Sequence, residues 1–408
     1  MNKFPILYQT YKFLKPLTKR SAFLLPFFIF AGLFKKQPFV LARFYMDLTF
    51  WLTMILLFLG IFRTKKFLTI SKYNPLLWIV LPLSFFILIT PMINLINGEN
   101  LPYFSWKVKQ FLFMVVPSVL FSYWHLRSER DWLYFRSGLL LISFYTSIYL
   151  FITPPIARWG DVNYLLLGTI PAIGGILIFY EILFKENQRY SEELYRILLF
   201  SLFSLGVLYS FSRGQQILYS FMLSLLLARF LFNTLLLSLV LRAKFVYKKA
   251  LKLLVIVIIC FTAIFFVLNK SSYFFVRFKR LDQGLSVRYM LFEKAIDLFE
   301  LHPVIPLGIG GYYFNFETEE FKYPHNMFLE VLSELGILGG IWYIFVILIT
   351  FSGYFQCRKV WFIGSHFYIF LFLLLLSCKQ DSLFTAKAFW AWTSMGIGLL
   401  NKRNFKKI

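Results

Sequence analysis

The sequence predicts an all-α polytopic membrane protein, with about twelve transmembrane helices and one large external loop. Three observations carry that expectation. First, of 408 residues 59% are apolar and only 15% charged, with 53 Phe and a mean hydropathy of +0.69, whereas a soluble domain carries about 25% charged residues to wet its surface. Second, apolar stretches of roughly the 17 to 25 residues needed to cross a bilayer recur along the whole chain. Third, the basic residues are distributed asymmetrically between alternate loops, as the positive-inside rule requires.

Taken in order, the apolar runs place spans near 20–34, 40–62, 75–97, 107–124, 132–152, 164–184, 197–211, 215–241, 253–268, 327–354, 360–377 and 386–400. The first is short. With twelve spans both termini are cytoplasmic, and the loops then assigned to the cytoplasm hold 25 Lys and Arg against 8 in the opposite short loops, among them Lys107, Arg158, Arg213, Lys379 and Lys387. The net charge of +24 therefore reads as topology and attraction to anionic lipid, not as a nucleic-acid surface. Residues 1–408 form a single membrane domain, which excludes a separate soluble catalytic domain. The basic start precedes an apolar run without a small-residue cleavage pattern, so no cleaved signal peptide is expected. Cys260, Cys357 and Cys378 are scattered and form neither a CxxC pair nor a disulfide framework.

One segment is too long to be a simple connection. Residues 269–325 form a large loop on the external side, and loops beyond about 12 to 15 residues are usually functional or disordered. Within it SVRYMLFEKAIDLFEL puts Val287, Leu291, Ala295 and Leu298 on one helical face, with Ser286 placed to cap and Pro303 to stop the helix. That face either packs on the protein or lies in the membrane interface.

Ionisable residues inside the spans are few and form no acidic relay of the kind an ion-coupled transporter needs. The polar interest lies in Arg158, Arg213, Arg288, His302 and His325. Arg213, in FSRGQQI, interrupts two apolar runs, where its charge either snorkels to the interface or meets an anion such as a lipid phosphate. His325, in YPHNMFLEVLSELGILGG, stands where the loop re-enters the membrane. A histidine there is either structural or a base, with an ordinary pKa near 6.5, and Asn326 is placed to orient a hydroxyl or the ring. His302, ahead of Pro303, suits a helix C-terminus. Gly308, Gly310 and Gly311 allow close backbone approach to a ligand but lack the strand-to-helix context of a phosphate loop. Glu317, Glu319 and Glu320 read as a solvated run, and no His/Cys/Asp spacing resembles a zinc site.

These pieces together resemble the O-antigen ligase and polymerase superfamily of bacterial envelope glycosyltransferases. His325-Asn326, nine residues, Gly336, two residues and Gly339 match the H-N-x9-G-x-x-G signature of the ligases. Upstream, SVRYMLFEKAIDLFELHPVIPLGIGGYYF resembles the family's stretch of an Arg opening a helix, a His-Pro and a Gly-x-Gly turn, and FSRG resembles its Ser-Arg-Gly element. The resemblance covers roughly residues 155–350; the first 150 agree only in hydropathy.

The resemblance implies a glycosyltransferase C-type fold of twelve spans in the bacterial inner membrane, with the loop folded over a cavity on the periplasmic face. It implies a glycan donor carried on undecaprenyl pyrophosphate. The acceptor is a lipid A-core sugar in ligases, and a second lipid-linked glycan in O-antigen or exopolysaccharide polymerases. Carried over, Arg213 and Arg288 bind the pyrophosphate and His325 activates the acceptor hydroxyl, with Asn326, Gly336 and Gly339 in support. Arg158, in ARWGDVN, matches a loop where relatives also carry a basic residue and is expected to contact phosphate or sugar. The implied reaction is an inverting displacement without ATP, metal or other cofactor. The His-Asn spacing tilts the expectation to the ligase, while VLSELGILGG is shared with polymerases. A non-catalytic glycan or lipid transporter would show internal repeats, and none is convincing.

Overall fold

The computed structural model describes residues 20–31, 48–63, 73–97, 103–153, 164–185, 190–210, 212–240, 281–316, 319–357 and 360–401. Its elements are α1 (Leu25–Ile29, after a 3-10 turn Ser21–Leu24), α2 (Leu48–Arg63), α3 (Leu81–Asn97, after a π-helical turn Leu76–Val80), α4 (Phe104–Gln110), α5 (Val116–His125, joined to α4 through the π-helical turn Phe111–Val115), α6 (Glu129–Ile152), α7 (Tyr164–Phe184), α8 (Tyr190–Tyr209) and α9 (Arg213–Val240). Then come α10 (Leu281–Leu301), a small hairpin of β1 (Phe314–Phe316) and β2 (Glu319–Phe321), α11 (Met327–Gln356), α12 (Trp361–Ser377) and α13 (Lys387–Leu399). The hairpin is antiparallel, with Phe314 opposite Phe321.

Six of these stretches are long and apolar enough to cross a membrane: α3 with its π-helical turn, α4 to α5, α6, α7, α9 and α11. What marks this as a membrane protein in three dimensions is the outside. Leu81, Phe85, Leu88, Met92 and Leu95 form an exposed stripe down α3, and Ile337, Leu338, Ile341, Ile344, Phe345 and Leu348 do the same on α11. The spacing of three and four residues puts each set on one face, and a water-facing surface does not carry apolar patches of that extent. The opposite pattern holds on α7, which is buried along almost its whole length among α6, α8, α9 and α12.

Side-chain hydrogen bonds fasten the bundle where no water competes. Trp342 on α11 donates to the carbonyl of Trp78 (2.8 Å), Tyr354 to that of Trp392 on α13 (2.8 Å), and Ser394 to that of Val119 on α5 (2.8 Å). At the end of the bundle that holds Lys185, Glu181 of α7 pairs with both Arg136 and Arg196.

Several expectations need correction. Of the span expected at 20–34, residues 20–31 are described, as a 3-10 turn Ser21–Leu24 followed by α1 ending at Ile29. The Phe28 carbonyl in it accepts from Lys387 (3.4 Å). Lys107 and Lys387, expected in external loops, are buried on α4 and α13. Helix α10 begins at Leu281, so Ser286 lies inside it and not at its N-cap position, while the stop at Pro303 holds, with His302 N–H closing on Leu298. The span expected at 253–268 lies outside the described residues, as do Arg158, Cys260 and Glu317.

Candidate active site

The apolar face read from α10 packs on the protein: Leu291 and Ala295 are buried with Tyr312, against Val287, Leu298, Phe321 and Leu329. Tyr312 also donates its hydroxyl to the Leu291 carbonyl (3.0 Å). This contact sets α10, and Arg288 in its second turn, beside the start of α11.

Helix α11 starts at Met327, and Asn326 is its N-cap: its side-chain oxygen accepts from the amides of Phe328 (3.0 Å) and Leu329 (3.1 Å). The role expected of Asn326 was to orient a hydroxyl or the ring, but its oxygen is committed to the helix end. His325, directly before the cap, has φ of 55°, the one positive value at a non-glycine residue among the described residues. A left-handed L-residue costs about 1–2 kcal/mol. That turn carries the imidazole against the loop between α12 and α13, where Nδ1 lies 3.4 Å from the Gln380 carbonyl and the Tyr323 ring lies edge-on at 4.6 Å. A carbonyl only accepts, so Nδ1 carries the hydrogen and Nε2 presents its lone pair. Burial lowers the His325 pKa from its ordinary value and the Arg288 charge pushes the same way, against the Gln380 carbonyl and Glu330. The shift favours the neutral ring.

Arg213 opens α9. The glycine after it lies against a neighbour: a Cβ on Gly214 would overlap Lys379 Nζ and fall 2.9 Å from its Cε. Lys379 therefore lies across the first turn of α9. Its pKa is pushed down to about 8 by burial and by the charges of Arg288 and Arg213. Gln215 completes the link, donating to the Gln380 side chain (2.9 Å) and itself held by Ser212. The three cations and His325 thus gather where the starts of α9 and α11, the second turn of α10 and the 378–386 loop meet. Asp381 lies in the same loop, its carboxyl raised to about 7 by burial.

Beneath this cluster is a buried ion triad that sequence reasoning missed. Lys107 Nζ lies 2.6 Å from both Glu330 and Glu334. Glu330 also accepts from Ser382 Oγ (2.9 Å) and the Leu383 amide (2.7 Å), and Glu334 from the Tyr312 amide (3.1 Å). The triad ties α4, α11, the loop after α10 and the 378–386 loop together, and so fixes the wall on which His325 leans. Lys107 reads in sequence as a loop charge because only the fold brings it to residues more than 200 positions away. The signal that was available is LEVLSELG itself, two acids four residues apart on one helix face inside an apolar run.

The remaining motif glycines are explained by α11 as well. Gly336, with φ of 65° and ψ of −160°, breaks the helix, and a Cβ there would fall 2.8 Å from the Pro303 carbonyl. The break frees Ile337 N–H to donate to Pro303 (2.9 Å) and the Glu334 carbonyl to accept from Gly308 (3.0 Å). Gly339 sits under the break, where a Cβ would overlap Leu335. Gly308 and Gly310, expected to let backbone approach a ligand, approach the protein: Gly308 lies against Thr90, and a Cβ on Gly310 would overlap the backbone of Phe104.

Residues 198–344 match the family described as O-Antigen ligase. The match covers less than half of the chain and makes it similar to the O-antigen ligase family over that stretch. The match contains Arg213, Arg288, His325, Asn326, Gly336 and Gly339, whereas the third cation of the cluster, Lys379, lies beyond it. No curated protein matches the chain. The match supports O-antigen ligase- or polymerase-type activity, and together with the apolar helices it points to a multi-pass membrane protein.

Proposed function

We propose that the protein is an O-antigen ligase-type glycosyltransferase. It moves a glycan from undecaprenyl pyrophosphate to a lipid A-core sugar at the periplasmic face of the inner membrane, with twelve spans, both termini cytoplasmic and residues 269–325 external. The observation that carries this reading is Lys379 lying over Gly214 beside Arg213 and feeling the charge of Arg288, next to a His325 whose Nδ1 faces the Gln380 carbonyl. Clustered cations suit an anion, and guanidinium groups match phosphate oxygens bidentately.

In the proposed reaction the acceptor hydroxyl gives its proton to His325 Nε2 as its oxygen attacks the anomeric carbon. The bond from that carbon to the pyrophosphate oxygen breaks, its electron pair leaving with the pyrophosphate, where Arg213 and Arg288 stabilise the developing charge. Attack opposite the leaving group inverts the anomeric centre. The scheme calls for no metal or ATP. Gln380 supports it by fixing the ring tautomer, and Arg158 is a further phosphate or sugar contact.

The test is the surface glycan of a deletion strain, with lipopolysaccharide and undecaprenyl-linked glycan separated and sized, complemented by wild type or His325→Ala. Lipid A without O-antigen, with long chains accumulating on the carrier, is the expected result, restored only by wild type. Lipid A capped by one repeat unit would instead establish a polymerase joining lipid-linked units, which uses the same donor chemistry. An unchanged profile would refute both.

A further inference from the structure

The 378–386 loop carries chemistry that the superfamily match does not reach. Lys379 follows α12 and lies with its Cδ, Cε and Nζ on Gly214, directly beside Arg213. No hydrogen bond or ion pair joins Lys379 Nζ to a carboxylate among the described residues. Its position is fixed from both sides, by Gln215 bonding to Gln380 and by Glu330 accepting from Ser382 and Leu383. A half-buried lysine set against two arginines is repelled by both and costs stability unless an anion joins them.

We propose that Lys379 is a third anion-binding residue of this site, reaching over Gly214 to the same pyrophosphate oxygens that Arg213 and Arg288 hold. The first-turn amides of α9, a 28-residue helix, point the same way, since a helix N-terminus favours negative charge. The inference rests on the reading of the site as a pyrophosphate-donor site.

The charged and titratable groups around Lys379 are Arg213 from α9, Arg288 from α10, His325 before α11 and Asp381 in its own loop. With Lys379 at about 8 in the free protein, an anion that needs its charge binds with proton uptake. With a roughly tenfold preference for the charged form, affinity then falls about fivefold between pH 7 and pH 9. An arginine stays charged throughout that range.

The experiment measures binding of undecaprenyl pyrophosphate to the full-length protein in lipid nanodiscs, for wild type, Lys379→Met, Lys379→Arg and Arg213→Ala. Lys379→Met should weaken binding about tenfold at pH 7, and Lys379→Arg should bind like wild type at pH 7 but lose the fall towards pH 9. Lys379→Met binding as wild type while Arg213→Ala binds weakly would overturn the role of Lys379 and leave the site reading standing. Equal pH profiles for wild type and Lys379→Arg would overturn it too, even if Lys379→Met fails to fold. If neither Arg213→Ala nor Lys379→Met weakens binding, the pyrophosphate site itself is wrong.

Discussion

Removing either sign from the buried triad should damage the protein in a definite order. Lys107 sits 2.6 Å from two carboxylates, and Lys107 and Glu330 are fully buried. Lys107→Met leaves two buried carboxylates facing each other without a cation, so the cost is that of breaking a buried pair, about 3–5 kcal/mol. Glu330→Gln leaves the Lys107–Glu334 pair intact and keeps an oxygen for Ser382, but puts an amide NH2 against the Leu383 N–H or the Lys107 ammonium. The loss is of order one charged hydrogen bond, about 1.5–3 kcal/mol. The double variant Lys107→Met/Glu330→Gln should then be less damaged than the sum of the two, because removing the second carboxylate charge relieves part of the repulsion. Unfolding midpoints in detergent, by thermal scan or denaturant titration, measure the order. Additive losses, or Glu330→Gln worse than Lys107→Met, would refute the triad as the foundation of the site. The activity readout is separate: Glu330→Gln loosens the 378–386 loop, so it should lower turnover even where the fold survives.

Three further outcomes follow from the same geometry. A base must be neutral to work, and burial with the Arg288 charge lowers the His325 pKa, so the acid limb of kcat/KM should lie below pH 6.5; in Arg288→Met the residual activity should show its acid limb at higher pH, and a limb unmoved or moved down would contradict the coupling. Gly336→Ala should cost about 1–2 kcal/mol for the left-handed backbone, and more because its Cβ would press on the Pro303 carbonyl; a melt unchanged from wild type would show that α11 is not broken there. Asn326→Ala should cost about 1 kcal/mol through the lost cap, with Asn326→Asp restoring stability; a cap role fails if Asp melts no higher than Ala.

Much of the site was legible before any coordinates. The H-N-x9-G-x-x-G spacing singled out His325, Asn326, Gly336 and Gly339, and the interruptions in hydropathy singled out Arg213. What was misread were roles that depend on a partner. Asn326 looked like a ligand for a hydroxyl and is a helix cap. The Gly308 and Gly310 turn looked like a ligand cradle and lies against Thr90 and Phe104. Ser286 looked like a cap because the apolar periodicity starts there, yet α10 runs back through Gly284 to Leu281, since helical hydrogen bonding does not require an apolar face.

Hydropathy and charge spacing alone determine that the chain is a helical membrane protein, because lipid demands long apolar helices wherever the backbone crosses it. Motif spacing alone carries the resemblance to the family and singles out most of the candidate residues, because those constraints are local in the chain. Which charges meet is another matter. Lys107 with Glu330 and Glu334, Lys379 with Arg213 and Arg288, and His325 with Gln380 are pairings of distant segments, decided only when the ends of α4, α9, α11 and α12 pack together. Electrostatic energy depends on distance and burial in space, and neither is written in the order of residues.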